Sequence, residues 1–98
     1  MQTSEIVERL RARRREFEAR GVAGLAIFGS RARGDNREDS DLDLLLDIPK
    51  GSRFSLIDLV AIERQIGEDL GVVVGAVLRR SVKEPLAQRI ADDVIEVF

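Results

Sequence analysis

The stretch that most restricts this chain is Leu25 to Asp47, two apolar runs separated by a fixed polar interval. The first, Leu25 to Phe28, stops abruptly at Gly29-Ser30. The second opens with Asp41-Leu42-Asp43 and continues as Leu44-Leu45-Leu46-Asp47. Short apolar runs bounded by turn residues read as strands. Alternation along the second puts Leu42, Leu44 and Leu46 on one face and Asp41, Asp43, Leu45 and Asp47 on the other.

Two carboxylates one pleat apart, at the entry of a buried strand, are costly unless something pairs with them. A divalent cation is the usual agent, and Mg²⁺ fills its shell with phosphate oxygens. Gly29-Ser30 suits the phosphates: glycine lets the backbone come close, the next N–H groups point outward, and Ser30 adds a hydroxyl. A cation between Asp41 and Asp43 with a nucleotide on Gly29-Ser30 is therefore one coherent expectation. The bland alternative is a solvated turn, since Gly34-Asp35-Asn36 would suit any turn and both carboxylates could face water. The order strand, Gly-Ser, Arg-rich turn, acidic strand favours the site.

Gly29-Ser30, ten intervening residues and Asp41-Leu42-Asp43 resemble the GS-x10-DxD signature of the nucleotidyltransferase superfamily, the DNA polymerase β-like fold. The longer strings GSRARGD and SDLDLLLD resemble its smallest branch, the MNT-type (minimal nucleotidyltransferase) proteins. Those are typically the antitoxin halves of pairs with HEPN-domain ribonuclease toxins. The resemblance implies an α/β (α+β) nucleotidyltransferase fold, a mixed sheet of about four strands with helices packed on it, as a single domain over residues 1–98. It implies Asp41 and Asp43 as catalytic metal ligands, Gly29, Ser30 and Arg31 as nucleotide-binding residues, Mg²⁺ as cofactor and ATP as substrate. It further implies transfer of AMP to a tyrosine of a HEPN toxin held in a hetero-oligomer. A small-molecule nucleotidyltransferase is the third reading, and such enzymes usually carry extra substrate-binding segments.

The chain departs from that pattern at one place. The family's third carboxylate lies on the next strand, and alignment on Leu70-Gly71 and the hydrophobic run puts it at Gly75. No acidic residue occurs from Val72 to Leu78. Asp47 cannot substitute, because four residues of strand carry it ~13 Å beyond Asp43. Three outcomes stay open: a slow enzyme, an enzyme completed by a partner's carboxylate, or an antitoxin that acts by binding alone.

Composition narrows the chemistry. Ninety-eight residues support one modest core. A net charge of −2 argues against direct, sequence-independent nucleic-acid binding. Cys and His are both absent, so acid–base and metal chemistry must run on carboxylates. Tyr is absent too, so the chain cannot modify a tyrosine of its own. No signal peptide or membrane-spanning run is visible, which makes a cytoplasmic location the expectation.

The remaining elements follow in order. Thr3 to Arg20 reads as one helix capped by Ser4 and stopped by Gly21, with Ile6, Val7, Leu10 and Phe17 as its stripe. Its arginines alternate with glutamates at Glu5–Arg9, Arg14–Glu18 and Glu16–Arg20, a solvated face rather than a nucleic-acid surface. Val22 to Phe28 is a strand and Arg31 to Gly34 a helical turn, with Arg33 facing either phosphates or Asp35 or Asp39. The acidic strand runs from Asp41 to Ile48, and Pro49, Gly51 and Ser52 break the chain. Ser55 and Asp58 form a capping box for a helix with Leu56, Leu59, Val60, Ile66 and Leu70 inward and Gly71 as its stop. Phe54 staples its start. Val72 to Leu78, apolar on both faces, reads as a strand covered on both sides. Pro85 opens a last helix to about Asp93, and Val94 to Phe98 closes as a strand whose apolar residues are either core or contact.

Overall fold

Four strands form one mixed sheet in the order β3-β2-β1-β4 in the computed structural model, which describes residues 1–98. In chain order the elements are α1 (Thr3–Ala12), α2 (Arg14–Ala19), β1 (Gly24–Phe28), α3 (Ser30–Arg33), β2 (Leu42–Asp47), α4 (Leu56–Leu70), β3 (Val74–Leu78), a 3₁₀ turn (Arg79–Ser81), α5 (Leu86–Asp93) and β4 (Ile95–Glu96). β1 pairs antiparallel with both β2 and β4, while β2 and β3 run parallel. The mixed α/β architecture expected from the sequence, about four strands in one mixed sheet with helices packed on it, is thus the one observed. No helix is long and apolar enough to cross a membrane.

The two sheet faces differ. Leu25 and Ile27 of β1, Leu42, Leu44 and Leu46 of β2 and Ala76 of β3 are buried in the main core, with Ile6, Leu10, Phe17, Ile62 and Ile66 from the helices. The other face carries Ala26, Phe28, Asp43, Leu45, Gly75 and Val77. It is covered only in part, by α5 packing Ile90 on Ala26 and Leu45, with Val82 and Val94 beside it. Half of that face therefore stays open around Asp43.

The expected first helix is two. Helical geometry breaks at Arg13 (φ −106°, ψ 15°), because one turn beyond Leu10 the stripe would have carried Arg13 and Arg14 inward. Phe17, seven residues beyond Leu10, is buried in the core, and Arg13 pairs with Glu16 and Asp69. Gln2, not Ser4, occupies the cap position of α1. Of the anticipated pairs, Glu5–Arg9 (3.1 Å) and Arg14–Glu18 (3.3 Å) form. Glu16 instead bonds Arg13 and Gln65, and Arg20 also turns to Gln65.

The capping box of α4 is present: the Ser55 N–H donates to Asp58 Oδ2 (2.8 Å) and the Asp58 N–H to Ser55 Oγ (3.4 Å). Gly71 ends the helix at φ +70°, in the left-handed region that glycine occupies freely. The buried stripe is rotated from the expected one. Leu59, Ile62, Ile66 and Leu70 face the core, spanning an arc of about 80° at 3.6 residues per turn. Leu56 and Val60 lie outside that arc, in solvent beside Ile57. β3 also differs, since Val73 and Val77 are exposed and only the Ala76 side is covered. At the C-terminus Val97 is buried and its N–H bonds the Leu25 carbonyl (2.8 Å), so this end is core.

Candidate active site

Asp43 lies between two glycines. On one side it is opposite Phe28 of β1, next to Gly29, and on the other it is opposite Gly75 of β3. Gly29 has φ +77°, a conformation that favours glycine, and a Cβ there would overlap Asp43 Oδ2 and push the carboxylate aside. A Cβ on Gly75 would meet Asp43 Oδ1 at an ordinary 3.6 Å and nothing else within 4 Å. The position where the sequence pattern leads one to expect a third carboxylate therefore adjoins Asp43, and a glycine fills it. Asp41, just before β2, is exposed, and its charge acts on the half-buried Asp43.

Burial first, and then the Asp41 charge, raise the Asp43 pKa above the ordinary value of 3.8, with Arg33 opposing them. Arg33 itself pairs with Asp35 at 3.1 Å, one of the two alternatives its position left open.

The short helix α3 begins immediately after Gly29, whose carbonyl accepts the N–H groups of Ala32 and Arg33 (3.1 Å each). Ser30 is its first residue, and the Ser30 and Arg31 N–H groups, which precede the first bonded ones, have no helical carbonyl behind them. Gly34 (φ +80°) closes it. The Arg31 guanidinium, expected at the nucleotide, is turned into the fold and is 2% exposed. It donates to the Ser40 carbonyl through Nε (3.1 Å) and Nη2 (2.8 Å), to Glu38 O (3.3 Å) and to Met1 O (3.4 Å). Five donors in a planar fork suit such a cluster of carbonyls. Arg31 thereby fixes the loop that delivers Asp41, and what it leaves for a ligand is its backbone N–H.

A cleft of about 410 Å³ opens beside Gly29, lined by Phe28, Arg33, Leu86, Arg89, Ile90 and Asp93 among others. Its volume lies in the range of small-ligand sites. Arg89 of α5 was not singled out from the sequence. Nothing local in the sequence marks it, because only the packing of Ile90 on the open sheet face brings it to Gly29. Asp47 takes no part. Its carboxylate lies 3.0 Å from Arg79 Nε, an ion pair without hydrogen-bond alignment, and Arg79 reaches on to Glu96 (2.8 Å).

The donors fit a magnesium ion assisted by phosphate. Asp41 and Asp43 are adjacent, their charges oppose one another, and neither has a cationic side chain in an ion pair. Only two carboxylates gather there, with no group of three. Mg²⁺ bound through one or two carboxylates draws its remaining ligands from substrate and water.

Comparison with known proteins identifies the family. The nucleotidyltransferase domain model matches residues 5–96. The chain is 34% identical over 94 residues to the protein adenylyltransferase MntA of Thermococcus cleftensis, covering 95% of this chain and 93% of that one. A solved candidate minimal nucleotidyltransferase superposes with a TM-score of 0.70 and 34% identity, over 97% of this chain and 95% of that one. A chain from the complex of a tri-AMPylated Shewanella oneidensis HEPN toxin with an MNT antitoxin shares the fold (TM-score 0.59, 17% identity). That match covers 80% of this chain and 57% of the other. The chain belongs to the nucleotidyltransferase domain family, among its small MntA-like members.

Proposed function

We propose that this protein transfers AMP from ATP to a tyrosine hydroxyl of a HEPN ribonuclease toxin, neutralising it within a hetero-oligomer. The observation that carries the reading is the Asp43 carboxylate, set between Gly29 and the open Gly75 and next to Asp41. The similarity to a protein adenylyltransferase and the AMPylated toxin in the Shewanella complex support the choice of group and acceptor.

Asp41 and Asp43 would hold Mg²⁺, which when bound supplies charge neutralisation for the triphosphate and for the leaving pyrophosphate. The Gly29 backbone, the Ser30 hydroxyl and the Arg31 N–H cradle the β- and γ-phosphates, and Arg33 adds positive charge at the cleft mouth. The acceptor oxygen bonds to the α-phosphorus, the bond to the bridging oxygen breaks, pyrophosphate leaves, and the phenolic proton passes to solvent. No third carboxylate orients that hydroxyl, so the site works through substrate positioning and predicts a slow reaction.

The two-carboxylate set favours one second reading, neutralisation by binding alone. The intact mass of a HEPN partner co-expressed with this chain separates the two. Adenylylated partner with wild type and unmodified partner with Asp43→Asn supports transfer. Unmodified partner in a stable complex with both supports binding alone.

A further inference from the structure

Asp43 has Gly29 against its carboxylate on the β1 side, where α5 covers part of the sheet face by seating Ile90 on Ala26 and Leu45. On the β3 side nothing covers it. β3 is an edge strand, and Val73 and Val77, flanking Gly75 on the same face, are 68% and 39% exposed. Those three residues form an apolar shelf beside Asp43 Oδ1.

The shelf continues into a larger patch. A groove of about 400 Å³ between α4 and the start of β3 is lined by Val60, Gly67, Val72 and Val73 together with Glu63 and Arg64. Past it, α4 exposes Leu56 (76%), Ile57 (81%) and Val60 (57%). Ile57 lies opposite the buried stripe, so nothing in the fold of one chain accounts for this face. Contiguous apolar surface of this kind marks an interaction site.

We infer that the acceptor protein docks on α4 through Leu56, Ile57 and Val60, crosses Val73, and lays its hydroxyl-bearing aromatic side chain on Gly75 beside Asp43. The inference rests on the adenylyl-transfer reading and names its acceptor surface. The patch leads to the open side of Asp43, which is where an acceptor must arrive. A second copy of this chain seated there would cover Gly75 and shut the acceptor out. The docking works by side chains rather than by strand addition, because the outward Ala76 N–H of the edge is already taken by Glu63 Oε2 (2.7 Å). A flat ring over a glycine between two valines is also a favourable way to fill a gap in a sheet.

The test uses a HEPN-domain protein co-expressed with this chain and the double variant Ile57→Asp/Val60→Asp, whose sites are solvent-exposed in the free protein. The readouts are mass in solution, partner affinity, ATP–Mg²⁺ binding and label transfer. The expected result is a wild type that is monomeric when alone. The variant should match it in melting and ATP–Mg²⁺ binding but bind and label the partner about tenfold less well. Equal affinity and labelling by variant and wild type would overturn the docking surface. So would a wild-type dimer that the substitutions make monomeric. A complex that wild type forms without label transfer, and that the variant loses, would sustain the surface and overturn the transfer reading. Absence of both complex and label in wild type would overturn both.

Discussion

Asp43 and Gly75 stand opposite each other in the parallel register of β2 and β3, and a side chain on Gly75 would begin 3.6 Å from Asp43 Oδ1. Gly29 touches the other oxygen of the same carboxylate, yet the two glycines are not equivalent. Replacing Gly29 by Ala forces a Cβ into the Asp43 carboxylate at φ +77°. A loss of about 1–3 kcal/mol is expected, together with loss of ATP binding. Gly75→Ala meets only ordinary contact and should stay within about 0.5 kcal/mol of wild type. Urea denaturation of the two variants, in parallel with ATP titration, checks the contrast.

The raised pKa of Asp43 makes its ionised form unfavourable in the fold. A carboxyl whose folded pKa lies above its unfolded value stabilises fully below the unfolded pKa, and this contribution is lost as pH rises through the folded pKa. Without metal, Asp43→Asn should therefore be more stable than wild type at neutral pH. The gap should close as pH falls toward the ordinary carboxylate value. Thermal melts in chelator across that range read the effect, and a constant gap at all pH values would contradict it.

Magnesium should act against that ordering. If Asp41 and Asp43 form the cation site, Mg²⁺ with a non-hydrolysable ATP analogue binds only the folded state. Ligand at ten times its dissociation constant adds about 1.4 kcal/mol. Wild type should gain this stabilisation and Asp43→Asn should not. Melting with and without chelator provides the measurement.

Arg31 is expected to matter through position rather than contact. Arg31→Ala strips donors from the carbonyls of Ser40 and Glu38 and frees the loop that carries Asp41. A cost of about 1–3 kcal/mol follows for the groups left unpaired. Lys should rescue only in part, because one ammonium cannot span those acceptors in a plane. Arg33→Ala removes an exposed pair with Asp35 and should leave stability within about 0.5 kcal/mol. Denaturation midpoints of the three variants test the ranking.

The fold was legible wherever local chemistry and burial agreed. Ser55 and Asp58 announced the start of α4 and Gly71 its end, because capping requires those residue types at those positions. Alternation along β2 correctly separated Leu42, Leu44 and Leu46 from Asp43, because strand periodicity has one solution there. The same reasoning failed where apolar residues face solvent. Leu56, Val60 and both faces of β3 looked like core, since hydrophobic pattern alone cannot tell a buried stripe from an interaction surface. Arg31 read as a phosphate ligand by its place beside Gly29-Ser30. Its inward turn depends on the carbonyls of a loop whose path no local pattern specifies. Arg89 and the cleft wall it forms were invisible for the same reason, since α5 reaches Gly29 only through tertiary packing.

The most direct measurement is transfer of radiolabelled AMP from ATP to a HEPN-domain protein that this chain binds on co-expression, with Mg²⁺, for wild type, Asp43→Ala and Gly75→Asp. The account predicts slow labelling by wild type and none by Asp43→Ala. It predicts faster labelling by Gly75→Asp, whose carboxylate would lie beside Asp43. No label from any of the three, with the complex intact, would contradict adenylyl transfer and leave neutralisation by binding.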